Sequence, residues 1–345
     1  MRWRSRTFGR LVMAATVIGL SGCGLRGAMA PRGVEADVAN GLWWYMLWLS
    51  TAIFVGWLAL FGIGLVRRHA TVSDATDARI HRRFIVGGGL VLPVIVLGSL
   101  FVYNLAALNA LPSGDDAVID ATAHQFWWEF AYFADPGSAD QAAEPSAQET
   151  QPQFVTANEM YIPTGTDVRV RLRTTDVIHS FWIPQLSGKR DMVPGRVNEL
   201  TLHARQPGRY RGKCTEFCGI QHANMQFDVV AVEPDAYRQW LADMALPAAE
   251  PDSAVEQAGY DAFMSSSCAA CHMIDGTPAR AAIGPALTHF ASRQRLGAGA
   301  APNDRGHLAA WVVNSQAIKP GNPMPPIEID AGQLSDLVTY LESLE

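Results

Sequence analysis

Two uncharged apolar runs, residues 42–66 and 84–108, dominate the first third of this 345-residue chain. Each is longer than the ~20 residues that cross the hydrocarbon core of a bilayer. Trp43, Trp44, Tyr45 and Trp48 gather at one end of the first run, where interfacial aromatics sit. Past residue 110 the apolar period changes to two. Val168, Val170 and Leu172 alternate with Arg169, Arg171 and Arg173, and Leu200 and Leu202 alternate with Thr201 and His203, which predicts half-buried antiparallel strands. Pro163-Thr164-Gly165, Pro194-Gly195 and Pro207-Gly208 punctuate them, as in a sandwich or barrel. Residues 134–152 are acidic and rich in Ala, Gln and Pro, as an exposed loop is. Tyr237, Trp240 and Leu241 predict a short closing helix. Helical spacing returns at Tyr260, Phe263 and Met264, and again at Leu337, Val338, Tyr340 and Leu341.

Charge divides the chain in the same place. Residues 1–114 carry 11 Arg and 4 acids, whereas residues 115–345 carry 16 basic and 29 acidic side chains. A basic, apolar anchor therefore precedes an acidic soluble part. The arginines flank apolar runs instead of clustering on a polar face, so no nucleic acid is expected as a partner. Arg67, Arg68, Arg79, Arg82 and Arg83 lie between the two runs, which puts that loop on the cytoplasmic side and both flanks outside. The start has the order of a secretory signal: Arg2, Arg4, Arg6 and Arg10, an apolar run to Leu20, then Ser21-Gly22-Cys23. Leu20-Ser-Gly-Cys23 also resembles a bacterial lipobox, which would make residues 1–22 a removable signal and Cys23 a lipidation site.

The other four cysteines form two close pairs. Cys214-Thr-Glu-Phe-Cys218-Gly-Ile-Gln-His222-Ala-Asn-Met225 offers two thiols, an imidazole and a thioether from one loop, and His179 follows a strand upstream. Soft sulfur with imidazole selects copper over magnesium or calcium. A disulfide between Cys214 and Cys218 is the competing use of the thiols, and zinc would not need the Met. Two thiols in place of one suggest a binuclear centre.

Residues 40–240 resemble cytochrome c oxidase subunit II of the dinuclear copper (CuA) type. The resemblance implies a two-helix transmembrane hairpin followed by a cupredoxin-like all-β Greek-key domain. It implies His179, Cys214, Cys218, His222 and Met225 as copper ligands together with the backbone carbonyl of Glu216. The Glu216 side chain is expected to meet magnesium at the subunit I interface. Asp191 and Arg196, within residues 189–198, match a family stretch between the ligand histidine and the copper loop. The family also has an aromatic cluster after His-Gln through which electrons arrive. Here Phe126, Trp127 and Trp128 follow His124-Gln125, with Phe where the family has Trp. The carboxylate often found at the start of the second span is replaced by Arg82-Arg83, so no proton-uptake role is carried over.

Beyond residues rich in Ala, Pro, Glu and Asp, Cys268-Ala-Ala-Cys271-His272 is the pattern of covalent c-type haem attachment. The thiols form thioethers and His272 is the proximal ligand. Met324, in a proline-rich loop, is the expected sixth ligand; a Met/His pair raises the haem potential. Residues 283–287 read as a haem-packing loop. Residues 257–345 resemble an all-α class I cytochrome c domain, which here carries 5 basic and 8 acidic residues and so lacks the basic docking charge of mobile cytochromes. A flexible linker of ~16 residues would hold the haem at roughly millimolar effective concentration.

The expected organisation is a signal at 1–22, transmembrane helices within 40–110, a copper domain at 115–241, a linker at 242–256 and a cytochrome domain at 257–345. The expected function is electron input to a respiratory terminal oxidase: haem c, then the copper pair, then the oxygen-reducing subunit I. Its partners would be subunit I and other oxidase subunits, the membrane, and an upstream donor such as cytochrome c or a bc complex. The bacterial plasma membrane is the expected location, with both termini and both cofactor domains outside. The competing function is a free-standing membrane electron carrier or copper-handling lipoprotein.

Overall fold

The computed structural model describes residues 27–67, 74–114, 116–133 and 152–345. Cys23, the signal segment and residues 134–151 of the expected loop lie outside the described residues.

Helix α1 (Val34–Arg67) is longer than the apolar run that predicted it. Its first turn is polar because it docks on the soluble part. The Ala36 amide donates to Leu186 O at 3.4 Å, and Arg205 pairs with Asp37 at 2.7 Å. Gly33 makes the close approach feasible, since a Cβ there would lie 2.2 Å from Leu186 O. The second span is one continuous helical stretch, α2 (Asp74–Arg83), a π-helical stretch (Phe84–Val91) and α3 (Leu92–Leu108). Gly87, Gly88 and Gly89 lie inside the π segment and Pro93 follows it, so the amide that would extend the α-register is missing. Both stretches are long and apolar enough to cross a membrane, and they touch through stacked Tyr45 and Tyr103 rings, 4.9 Å apart.

The soluble part begins with ten strands in two five-stranded sheets. The first has the order β3 (Phe154–Ala157), β2 (Trp127–Tyr132), β1 (Ala117–His124), β5 (Val168–Thr174), β8 (Asn198–Leu202). The second runs β4 (Glu159–Pro163), β10 (Gln226–Val232), β9 (Gly208–Cys214), β6 (His179–Trp182), β7 (Arg190–Met192). The two strands read from alternation, β5 and β8, pair antiparallel as expected, whereas β1 pairs with β5, and β4 with β10, in parallel. The alternation in β5 also breaks. Arg171, on the polar side of the pattern, is fully buried because Asp120 is its register partner on β1 and accepts from its Nε at 2.5 Å. Between the sheets lies one apolar core that includes Trp128, Phe130, Phe181 and Phe227. Helix α4 (Pro234–Met244) closes it, stacking Trp240 on Tyr161 at 4.3 Å.

The last ninety residues form a separate helical core around α5 (Ala254–Ser265), α6 (Arg305–Ile318) and α7 (Ala331–Ser343). Ser253, Asp304 and Asp330 cap the three N-termini through their side chains, each worth about 1 kcal/mol. Helices α5 and α7 cross at Gly259, where a Cβ would meet Asp336 O at 2.1 Å.

The segment between the two soluble cores is not free. The Ala248 amide donates to Asp275 O at 3.1 Å, and His289 Nε2 lies 3.1 Å from Leu246 O. The picture of a haem swinging on a flexible tether is therefore replaced by a docked arrangement.

Candidate metal and haem centres

Strands β6 and β9 are neighbours, with Phe181 opposite Cys214. That pairing carries His179 from the start of one strand to Cys214 at the end of the other. The turn that follows folds back through His222 and Met225 before β10 begins. Cys214 Sγ lies 3.7 Å from His179 Nδ1 and 3.8 Å from Cys218 Sγ. Cys218 Sγ in turn lies 3.6 Å from His222 Nδ1 and 3.8 Å from Met225 Sδ. Glu216 O is 3.2 Å from Cys214 Sγ, while its side chain is exposed. All six groups expected from the sequence thus converge, and the thiols are unbonded to each other. The disulfide alternative is not what the chain forms here.

The hydrogen bonds around this cluster aim its donors. Asp176 Oδ1 lies 2.8 Å from His179 Nε2, which leaves Nδ1 facing the thiols. A carboxylate behind a ligating imidazole fixes its tautomer and orientation. Burial would raise the Asp176 pKa, but hydrogen bonds from His179 and the amides of Val177 and Gln125 hold it below the usual range. Burial opposes charge on His179 too, and is outweighed by its bonds to Cys214 and Asp176. The Cys214 thiol is driven down, first by the hydrogen bond from Cys218, while the same bond and burial push Cys218 up. Two thiols, two imidazoles, a thioether and a carbonyl form a soft, mostly buried donor set that suits copper.

The second centre is a cavity in the helical domain, lined by Cys271, His272, Gly284, Leu287, Trp311 and Met324. His272 Nδ1 donates to Pro285 O at 2.7 Å and so leaves Nε2 for a ligand, and burial lowers its pKa. Gly284 is required beside it, because a Cβ would come within 2.6 Å of the imidazole. Met324 is held by its backbone: its amide donates to Asn322 Oδ1 at 2.9 Å and its carbonyl accepts from Ser315 Oγ at 2.7 Å. Cys268 and Cys271 are unpaired and half-buried. Two free thiols, one oriented imidazole and an apolar slot ending on a thioether fit a covalent haem.

Phe126, Trp127 and Trp128 are all buried, at 7 %, 7 % and 0 % exposure. Trp128 packs edge-on against Phe181 in the sheet core and its Nε1 reaches Met225 O at 3.5 Å. Phe126 and Trp127 face the haem cavity. None of the three offers the open platform that a visiting carrier would use. Asp191 lies on β7 opposite Ser180, the neighbour of His179, and Arg196 lies in the turn after that strand; both are exposed.

Four functional groups escaped sequence reading. Asp176 could have been found from its place three residues before His179. Gln125 Nε2 donates to Cys218 O, from 93 residues away. Asn158, at φ 62°, accepts from the Trp128 amide at 3.0 Å and lines the haem cavity. Lys319 is 2 % exposed, and burial pushes its ammonium down to about 7. Gln125 stands in the His124-Gln125 pair before the aromatic cluster, whereas nothing local in the sequence marks Asn158 or Lys319.

The family profile described as the cytochrome C oxidase subunit II periplasmic domain matches residues 117–232, and the cytochrome c profile matches residues 256–345. A cytochrome c oxidase subunit 2 from Alkalihalophilus pseudofirmus is 36 % identical over 264 residues, covering 74 % of this chain and 71 % of that one. The chain belongs to the cytochrome c oxidase subunit 2 family. A subunit 2 from Bacillus subtilis aligns over 97 % of both chains at 28 % identity, so the relationship includes the C-terminal domain. The periplasmic domain of subunit II of cytochrome oxidase (CoxB) from Bradyrhizobium japonicum is similar at 29 % identity, covering 38 % of this chain and 95 % of that one, with a TM-score of 0.31. The chain is thus subunit II of a haem–copper oxidase, with a cytochrome c domain fused behind the copper domain, and it works in the oxidase complex beside subunit I.

Proposed function

We propose that His179, Cys214, Cys218, His222, Met225 and the carbonyl of Glu216 hold the two copper ions, and that Cys268, Cys271, His272 and Met324 hold the haem. When bound, these groups take up one electron at a time and relay it towards the oxygen-reducing subunit. The chain's own residues set the conditions for that relay. Asp176 orients His179, Pro285 O orients His272, and the buried walls exclude water, which limits the reorganisation that accompanies each change of charge. The observation that carries this reading is the convergence of all six copper-loop donors around two unbonded thiols.

The finer assignments belong to the same proposal. Glu216, exposed beside Phe217 at 77 % exposure, is directed outward and suits a magnesium ion shared with subunit I. The arginine-rich loop between the spans supports a cytoplasmic hairpin end, with both soluble domains on the outer face of a bacterial plasma membrane. Cys23 is the candidate lipidation site after removal of residues 1–22, and lipid there would be a second tether beside two spans. An upstream carrier such as cytochrome c or a bc complex supplies the electrons. Purification of the chain from its native membrane tests the reading. A complex with two coppers on this chain and haem c bound covalently to it supports the reading, whereas a chain lacking either group contradicts it.

A further inference from the structure

Lys319 carries an ammonium into the seam between the two soluble domains. It belongs to the cytochrome domain, at the end of α6, yet its Nζ donates to Phe126 O of the copper domain at 2.7 Å. The same Nζ donates to Gly297 O of its own domain, also at 2.7 Å. No carboxylate pairs with it among the described residues. Burying a charged group this deeply is unfavourable unless hydrogen bonds replace its water, and here the replacing carbonyls come from both sides of the seam.

Other contacts run along the same seam. Gln221 Nε2 donates to Pro320 O at 2.6 Å, the Gln226 amide to Ala298 O at 2.9 Å, and the Gln294 amide to Glu159 Oε1 at 3.0 Å. Ala298, fully buried, packs with Trp127 and Ala157 of the copper domain. The haem cavity lies against this seam, and Phe126, Trp127 and Asn158 line it from the copper-domain side.

We propose that the copper domain completes the haem site, and that Lys319 is the positioning residue locking the two domains so that Phe126, Trp127 and Asn158 form its outer wall. The proposal rests on the reading that His272 and Met324 hold the haem in that cavity. It deepens that reading by making the haem's surroundings the joint property of two domains. The aromatic segment expected to receive an external carrier is instead covered by the chain's own cytochrome domain.

The test uses the full-length chain in the assembled oxidase. Lys319→Met keeps the stem and removes the donors; Lys319→Gln keeps a neutral donor and serves as the milder variant should the first fold poorly. Hydrogen exchange is followed at residues 122–128 in the seam and at 168–174 in the sheet core. Loss of hydrogen bonds from a charged donor should raise exchange at 122–128 by about tenfold in Lys319→Met and by less in Lys319→Gln. Residues 168–174 should keep the parent rate. The haem potential should fall in Lys319→Met as water reaches the opened wall. Parent-like exchange at 122–128 in both variants would overturn the lock. A raised exchange with an unmoved haem potential would overturn the shared wall. A parent chain without covalent haem would count against the ligand reading instead, because the exchange measurement stands without it.

Discussion

The copper loop and the haem loop present soft ligands in different ways. The copper loop is built inside one sheet sandwich: β6 and β9 bring His179 to Cys214, and Asp176, three residues away, aims the imidazole. The haem loop is held from several directions. His272 is set by Pro285 O and Met324 by Ser315 and Asn322, and one wall of the cavity they line comes from another domain. The copper site is held mainly by strand pairing and meets the seam only at the edge of its loop, through Gln221 and Gln226. A site closed by domain docking inherits the strength of the docking surface. Damage to the seam should therefore disturb the copper site less than the haem site.

The largest expected effect separates the two centres outright. Cys218→Ser removes the thiol that lies within 4 Å of Cys214, His222 and Met225 alike. It should abolish the two-copper signal in electron paramagnetic resonance and leave the haem spectrum intact. A surviving two-copper signal would break the ligand assignment. Next, Met324→Ala should lower the haem potential while sparing the copper signal, because a thioether opposite histidine favours the reduced haem. An unchanged potential would mean another group completes the iron site. Asp176→Asn should weaken copper binding by about 10–100-fold, the usual cost of losing a carboxylate behind a ligating imidazole, with haem content unaffected; competition with a chelator reads this directly. The smallest effect is expected from Glu159→Gln, which weakens the bond to Arg209 at 2.9 Å and the seam contact to the Gln294 amide. A loss of about 1–2 kcal/mol in denaturant unfolding of the soluble part should follow. The copper signal should be unmoved, since Asp228 still holds Arg209 at 3.3 Å.

Sequence made the chemistry legible where one short segment carries it. Cys214 to Met225 and Cys268 to His272 are such segments, and both spans were visible as uncharged runs. Helix α1 extends eight residues before its apolar run because its polar first turn is bound to Leu186 and Arg205, partners no local pattern can announce. Arg171 reads as solvent-facing by alternation but is buried, since its partner Asp120 sits on a strand more than fifty residues earlier. The parallel pairs β1–β5 and β4–β10 bring together segments joined by long connections, and alternation alone does not give direction. The linker illustrates the same point. Its Ala, Pro and Glu content suggests freedom, yet Leu246 and Ala248 are tied to His289 and Asp275. Nothing local distinguishes Lys319 beside the proline-rich loop that follows it, and only the docked geometry gives it two carbonyls.

The central claim is that one chain holds a two-copper centre and a covalent haem side by side. Copper and haem analysis of the purified complex, combined with electron paramagnetic resonance of its oxidised form, tests it most directly. Covalent haem c is expected on this chain, together with a signal from one unpaired electron shared by two copper ions. A signal from a single isolated copper, or a chain free of covalent haem, would contradict it.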